Sequence, residues 1–140
     1  MTKGPIVFVE DDKDYQEIYQ EALREIGISN EIHFFPGGKE ALNYLFTTEE
    51  QPFILLSDVN MPGMTGLELK KYIQDDPYLS SKGIPFVFIS TNASKVSVRH
   101  AHALSVQGYF EKPPTMEGIK AMFRTIFTYW ESCRHINNTQ

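Results

Sequence analysis

The sequence predicts an α/β domain in which five short parallel strands alternate with five helices and the sheet is covered on both faces. Three observations predict it. Apolar runs of about four residues recur between stretches that carry the i, i+3, i+4, i+7 spacing of an amphipathic helix. The runs are uniformly apolar rather than alternating, the mark of strands buried on both faces with right-handed helical crossovers between them. The chain has 140 residues, 41% apolar and 22% charged, which suits one domain with its own core and not two.

The first strand is Ile6–Val9. Tyr15, Ile18, Tyr19, Ala22, Leu23 and Ile26 follow as one helical stripe, stopped by Gly27. Ile32–Phe35 is a weaker second strand closed by Pro36-Gly37-Gly38, and Ala41, Leu42, Leu45 and Phe46 mark a short second helix. Phe53–Leu56 is the third strand. Asp58 to Gly66, with a proline, two glycines and two methionines, reads as a loop, and Leu67 to about Gln74 as the third helix with Asp75-Asp76-Pro77 as its exit. After the polar Ser80-Ser81-Lys82-Gly83 comes the fourth strand, Phe86–Ile89, then a fourth helix over residues 95–106 with a thin apolar stripe. Tyr109-Phe110 forms the short fifth strand, Lys112-Pro113-Pro114 turns the chain, and Ile119, Met122, Phe123, Ile126, Phe127 and Trp130 repeat the stripe of the first helix. The polar tail from about Cys133 is expected to fray. The domain is therefore expected over residues 3–130, with 131–140 as helix end and tail and no room for an output domain.

Charge and cysteine usage narrow the function classes. The net charge of −5 gives no general affinity for nucleic acid. It is unevenly spread: residues 1–70 hold five basic and thirteen acidic side chains, and residues 71–140 hold eight and five. A single cysteine, Cys133, forms no internal disulfide and fits a reducing compartment. No apolar run approaches the roughly 20 residues of a membrane span, and Met1–Pro5 leaves no room for a signal peptide before the first strand. A cytoplasmic protein is expected. His33, His100, His102 and His135 have no metal-ligand spacing with Cys133 and read as ordinary surface or packed histidines.

In an open parallel sheet the ligand site lies beyond the carboxyl ends of the strands. Glu10-Asp11-Asp12 follow the first strand, Asp58 and Asn60 the third, Ser90-Thr91-Asn92 the fourth, and Lys112 the fifth. Glu10, Asp11 and Asp58 would repel one another in a shared pocket unless a cation sits among them. An all-oxygen ligand set that leaves room for phosphate oxygens suits Mg2+, with Mn2+ also accommodated. A lysine and a serine opposite supply charge and a hydrogen-bond donor for a phosphoryl group. The constellation points to phosphoryl transfer, which depends on positioning and electrostatics.

Four motifs in this order carry a resemblance that covers residues 3–130: Val9-Glu10-Asp11-Asp12, Asp58-Val59-Asn60-Met61-Pro62-Gly63-Met64-Thr65-Gly66, Ser90, and Gly108-Tyr109-Phe110-Glu111-Lys112-Pro113. The chain resembles the receiver domain of two-component response regulators. The resemblance implies a flavodoxin-like fold with strand order 2-1-3-4-5. It implies a stand-alone signalling switch that takes a phosphoryl group from a histidine kinase or phosphotransfer protein onto Asp58 and catalyses only its own phosphorylation and slow dephosphorylation. Asp11 would bind Mg2+ directly, Glu10 through water, Asp58 as acceptor, and Asn60 through its backbone carbonyl. Ser90 would bond a phosphoryl oxygen and Lys112 would pair with Asp58 or its phosphate. A cis peptide would join Lys112 to Pro113, and Asn60 and Asn92 would flank the site where phosphate lifetime is tuned. Tyr109 reads either as packing or, by the resemblance, as an aromatic switch coupled to Ser90. The downstream protein partner, or a second copy of the chain, would meet the face of helix four, strand five and helix five.

The acidic pair is Glu-Asp rather than Asp-Asp, Asp12 reads as charge at the helix start, and Pro114 replaces the usual apolar residue after Lys-Pro. A phosphatase of the haloacid-dehalogenase type would need a second aspartate as general acid, where this chain has Asn60. A receiver reduced to an interaction module would not need the intact Asp11, Asp58, Ser90 and Lys112. A flavin protein would need a Gly/Ser/Thr phosphate cradle where this chain has the acidic loop after strand one.

Overall fold

The computed structural model of the chain describes residues 4–91, 94–134 and 136–138. The strands are β1 (Ile6–Val9), β2 (Ile32–Phe35), β3 (Ile54–Ser57), β4 (Phe86–Ser90) and β5 (Gly108–Glu111). The helices are α1 (Lys13–Glu25), α2 (Gly38–Thr47), α3 (Gly66–Asp75), α4 (Pro77–Ser81), α5 (Lys95–Ala103) and α6 (Met116–Ser132), followed by a 3-10 turn at Ile136–Asn138. All strand pairs are parallel and the order is β2-β1-β3-β4-β5, the flavodoxin-like arrangement expected.

The four-residue strands work because successive side chains point to opposite faces. Ile6, Phe8, Ile54, Leu56, Val87 and Ile89 face α1 and α6, where Tyr19, Leu23, Phe123 and Phe127 meet them. Val7, Val9, Leu55, Phe86 and Phe88 face the other way, against Leu42 and Leu45 of α2, Leu69 of α3 and Ala101 of α5. The three central strands are buried along their whole length, whereas the edges β2 and β5 are half-buried. Rings fill much of the first face: Phe8 stacks on Tyr19 and Phe34 at centroid distances of 5.2 and 5.1 Å.

Caps fix where the helices begin. Asp12 is the N-cap of α1, its carboxylate accepting from the Asp14 amide at 2.8 Å. Thr65 and Glu68 close a reciprocal capping box on α3. One helix was not expected. The exit read at Asp75-Asp76-Pro77 is also a start: Asp76 caps the Leu79 amide at 3.0 Å, Pro77 occupies the first turn, and Leu79 is buried, so α4 forms at once. The helix expected over 95–106 closes at Ala103, because Ser105 adopts φ 57°, a left-handed conformation that ends it. Beyond α6, residues 136–138 form a 3-10 turn, and the side-chain Nδ2 of Asn137 donates to the Gln51 carbonyl at 2.7 Å. No helix among the described residues is long and apolar enough to cross a membrane.

Candidate phosphoryl-transfer site

Main-chain hydrogen bonds lock the carboxyl ends of the strands together and so set the side chains that leave them. The Glu10 amide donates to the Phe35 carbonyl at 2.9 Å, the Asp58 amide to Val9 at 3.0 Å, and the Lys112 amide to Ser90 at 2.9 Å. Each pair continues the parallel ladder by one residue beyond the strands. Glu10 and Asp58 therefore emerge from adjacent strands, and Ser90 and Lys112 from the next two. The loop after β3 then doubles back: the Gly66 amide donates to the Val59 carbonyl at 2.8 Å. Only a residue without a side chain fits there, since a Cβ on Gly66 would overlap the Asp58 carbonyl oxygen and lie 2.8 Å from the Phe88 ring.

Lys112 is the centre of the site. Its Nζ donates to Glu10 Oε1 at 2.8 Å and to Asp58 Oδ2 at 3.0 Å, with side-chain exposures of 4% for the lysine against 3% and 11% for the acids. The Tyr15 ring also meets the ammonium, its centroid 3.9 Å from Nζ, a cation–π contact. The remaining carboxylate oxygens are held by main chain: Glu10 Oε2 accepts from the Asp12 amide and Asp58 Oδ1 from the Asn60 amide, both at 3.2 Å. Gln16 Nε2 donates to the Glu10 carbonyl at 2.7 Å. Burial pushes the Glu10 carboxyl above its ordinary value, although Lys112 and the Asp12 amide pull it down. Burial alone would lower the Lys112 ammonium, but its bonds to Glu10 and Asp58 outweigh that and hold it above the usual lysine value.

Glu10, Asp11 and Asp58 each offer a carboxylate oxygen, and these oxygens lie within 4.8 Å of one another. Three carboxylates against one lysine leave an excess of negative charge in a partly buried pocket, which fits a divalent cation with oxygen ligands. Asp11 is exposed, Asp58 half-buried and Glu10 buried, so the cluster runs from the surface into the interior. Ser90 is fully buried at the end of β4, between the strands that carry Asp58 and Lys112. Asn60 is exposed. Asn92, expected to tune phosphate lifetime, lies outside the described residues.

Tyr109 is half-buried in β5; its hydroxyl is 3.0 Å from Ser97 Oγ of α5 and its ring 5.8 Å from that of Phe88. The expected cis bond at Lys112–Pro113 is not found: no cis peptide occurs among the described residues. The trans isomer is the intrinsically favoured one, and Lys112 reaches both carboxylates from it. Tyr15 and Gln16 were missed. Both sit within the amphipathic stretch of α1, and nothing local distinguishes a ring that packs from one that also underlies a cation 97 residues downstream. His33, expected to be unremarkable, pairs with Glu31 at 3.2 Å and approaches Glu50 at 4.0 Å, and both acids are more than half exposed.

The model of the response regulator receiver domain matches residues 6–124. The chain is 30% identical over 122 residues to the chemotaxis protein CheY of Pseudomonas aeruginosa, spanning 87% of this chain and 94% of that one. It is 28% identical over 130 residues to the response regulator Rcp1 of Synechocystis, spanning 89% and 87%. Among solved structures, the phosphorylated cyanobacterial phytochrome response regulator RcpA superimposes with a TM-score of 0.83 at 29% identity, over 95% of this chain and 97% of that one. The Mn2+-bound form of Rcp1 gives 0.80 at 26%, over 95% and 98%. Such domains are signalling switches rather than classical enzymes, and the acidic cluster beside Lys112 is where a divalent cation fits. The chain belongs to the response regulator receiver domains of two-component phosphorelay signalling.

Proposed function

We propose that Asp58 is the phosphoacceptor and that the described site carries out its own phosphorylation from a phosphohistidine donor. One Asp58 carboxylate oxygen attacks phosphorus; the O–P bond forms as the P–N bond breaks, and the imidazole leaves with the electron pair and takes up a proton. The product is a mixed anhydride on Asp58. Lys112, which already spans Glu10 and Asp58, pairs with the charge on the transferred phosphoryl oxygens, and the Ser90 hydroxyl donates to one of them. Glu10, Asp11, Asp58 and the Asn60 carbonyl are the residues that would hold Mg2+. The ion, when bound, offsets negative charge on the incoming phosphoryl group. Asn60 is neither acid nor base, so it neither activates nor blocks a water that attacks the anhydride.

The observation that carries this reading is the double grip of Lys112 on Glu10 and Asp58. An ammonium held against the acceptor carboxylate stands ready to neutralise the phosphoryl group when that carboxylate becomes an acyl phosphate. The readout follows from Tyr109, tethered to α5 through Ser97: movement of Ser90 toward the phosphoryl group frees space for the ring, which swings inward and repacks the face of α5, β5 and α6. A protein target, or a second copy of the chain, docks on that face. A sensor kinase or phosphotransfer protein is the donor, and the work is done in the cytoplasm.

The test is intact-mass analysis after incubation with Mg2+ and either acetyl phosphate or phosphoramidate. One base-labile phosphoryl adduct is expected, absent from Asp58→Ala. An unchanged adduct in Asp58→Ala would assign the acceptor elsewhere, and sustained turnover of a phosphate ester would make the protein a phosphatase.

A further inference from the structure

The opposite end of the sheet holds a second cation in an unusual setting. Lys70, on α3, is 8% exposed, and among the described residues its ammonium has neither a hydrogen bond nor an ion pair. Its one recorded partner is the face of Phe86, with Nζ 5.6 Å from the ring centroid. Lysines are almost never this buried without a counter-charge, and others in this chain are paired: Lys71 with Asp75, Lys112 with two acids, Lys120 with Glu25 and Glu117.

Lys70 lines a cavity of about 570 Å³ at the amino ends of β4 and β5, walled by Ile73 of α3, Leu79 of α4, Ile84 and Trp130 of α6, with Arg134 also lining it. That volume falls in the range of small-molecule sites, roughly 300–1,000 Å³. The Lys70 ammonium and the Arg134 guanidinium beside the apolar walls, with Gln74 and Gln107 also in the lining, match a ligand with an apolar body and a negatively charged end. Burial holds the Lys70 ammonium below its ordinary value, with no carboxylate acting on it, and a bound anion would reverse that. We propose that this cavity binds a small organic acid, its carboxylate on Lys70 and its apolar body against Leu79, Ile84 and Trp130. The site lies at the end of the sheet remote from Asp58 and does not depend on phosphorylation. It joins α3 and α4 to the end of α6, so a bound acid clamps elements from both helical layers.

Trp130 is the only tryptophan in the chain and reports on the cavity directly. Benzoate, 4-phenylbutyrate and octanoate are titrated against the full chain, with Trp130 emission and backbone amide shifts of Ile73 and Leu79 as readouts. A saturable response to at least one acid is expected. Affinity should fall about tenfold or more for the corresponding neutral amide and in Lys70→Met, the loss that goes with a charge-assisted hydrogen bond. It should stay within about threefold in Lys70→Arg, which keeps the charge. Thermal melts of both variants establish that they are folded, and Asp58→Ala should bind the acid as the parent does. No saturable response to any of the three acids, or equal binding of acid and amide, or equal binding by the parent and folded Lys70→Met, overturns the proposal.

Discussion

Replacing Lys112 with methionine keeps most of the side-chain volume and removes the charge that compensates two buried carboxylates. Glu10 and Asp58 would then face each other, 3% and 11% exposed, with oxygens within 4.8 Å. Breaking a buried pair by deleting one partner costs about 3–5 kcal/mol, and the lost Tyr15 contact adds to this. Two features of the pocket moderate the loss: burial raises the Glu10 pKa, which eases proton uptake once the lysine is gone, and Asp58 keeps some solvent contact. About 3 kcal/mol remains. Unfolding entropy of about 2.1 cal/mol/K per residue over 140 residues gives ~0.3 kcal/mol per degree, so Tm should fall by ~10 °C in EDTA. A divalent cation takes over the lost charge, so 10 mM Mg2+ (on the order of a saturating concentration) should raise Tm more in Lys112→Met than in the parent. Glu10→Gln in the same chain should recover part of the loss. The pH profile has a definite sign. Lys112's folded pKa is raised, so its contribution is fully present below the unfolded lysine value and is lost only as pH rises through the folded one. In the variant the penalty shrinks as pH falls through the raised value of Glu10, where that carboxyl protonates. Calorimetry in EDTA and in Mg2+ decides the matter. A fall in Tm of less than ~2 °C, or an identical fall with and without the ion, would refute the view that Lys112 is a counter-charge standing where a metal also acts.

Gly66→Ala should destabilise the chain by about 3 kcal/mol, the upper part of the range for overpacking, because the new methyl would overlap the Asp58 carbonyl and press on Phe88; urea melts read the loss, and phosphorylation from acetyl phosphate should slow as Asp58 is displaced. An unchanged urea midpoint would mean that the loop after β3 does not need the close approach. Lys70→Met should stabilise by about 1 kcal/mol at neutral pH, since it removes a desolvated ammonium without a counter-charge. The sign follows from the lowered folded pKa: the cost of Lys70 is complete below that value and is relieved as pH rises toward the ordinary lysine value, so the gain should fade in alkali. A neutral-pH melt lower than the parent's would show that the ammonium is better satisfied than its surroundings indicate.

The fold was legible because burial on both faces removes polar residues from strands almost completely. Ile6–Val9, Phe53–Leu56 and Phe86–Ile89 stand out against their polar flanks, and the structure buries all of them. The edges were harder, and β5 was read two residues short because Gly108 and Glu111 pair in the ladder without having apolar side chains. Helix α4 was missed for a different reason. Proline after aspartate was read as an end, yet proline loses nothing in the first turn of a new helix, where its absent amide would have had no partner. What decides between the two readings is whether a side chain two residues on finds a core, and Leu79 does.

The grouping of the site residues was legible for a topological reason. Parallel strands present all their carboxyl ends on one side, so residues that follow strands one, three, four and five in the sequence must become neighbours in space. Glu10, Asp58, Ser90 and Lys112 could be placed together without knowing any helix geometry. Contacts that depend on how a helix lies across the sheet do not share this property. Tyr15 comes beneath Lys112 only because α1 crosses that face at one particular height and rotation, and Lys70 is stranded over Phe86 only because α3 packs with one edge inward. The same division separates the two cations. Lys112 is held by acids that strand order brings to it, whereas Lys70 lies over Phe86 beside a cavity whose lining supplies no carboxylate. A buried ammonium of the second kind lowers stability for as long as it is unpaired, which is the physical ground for looking at the amino end of the sheet for an anion.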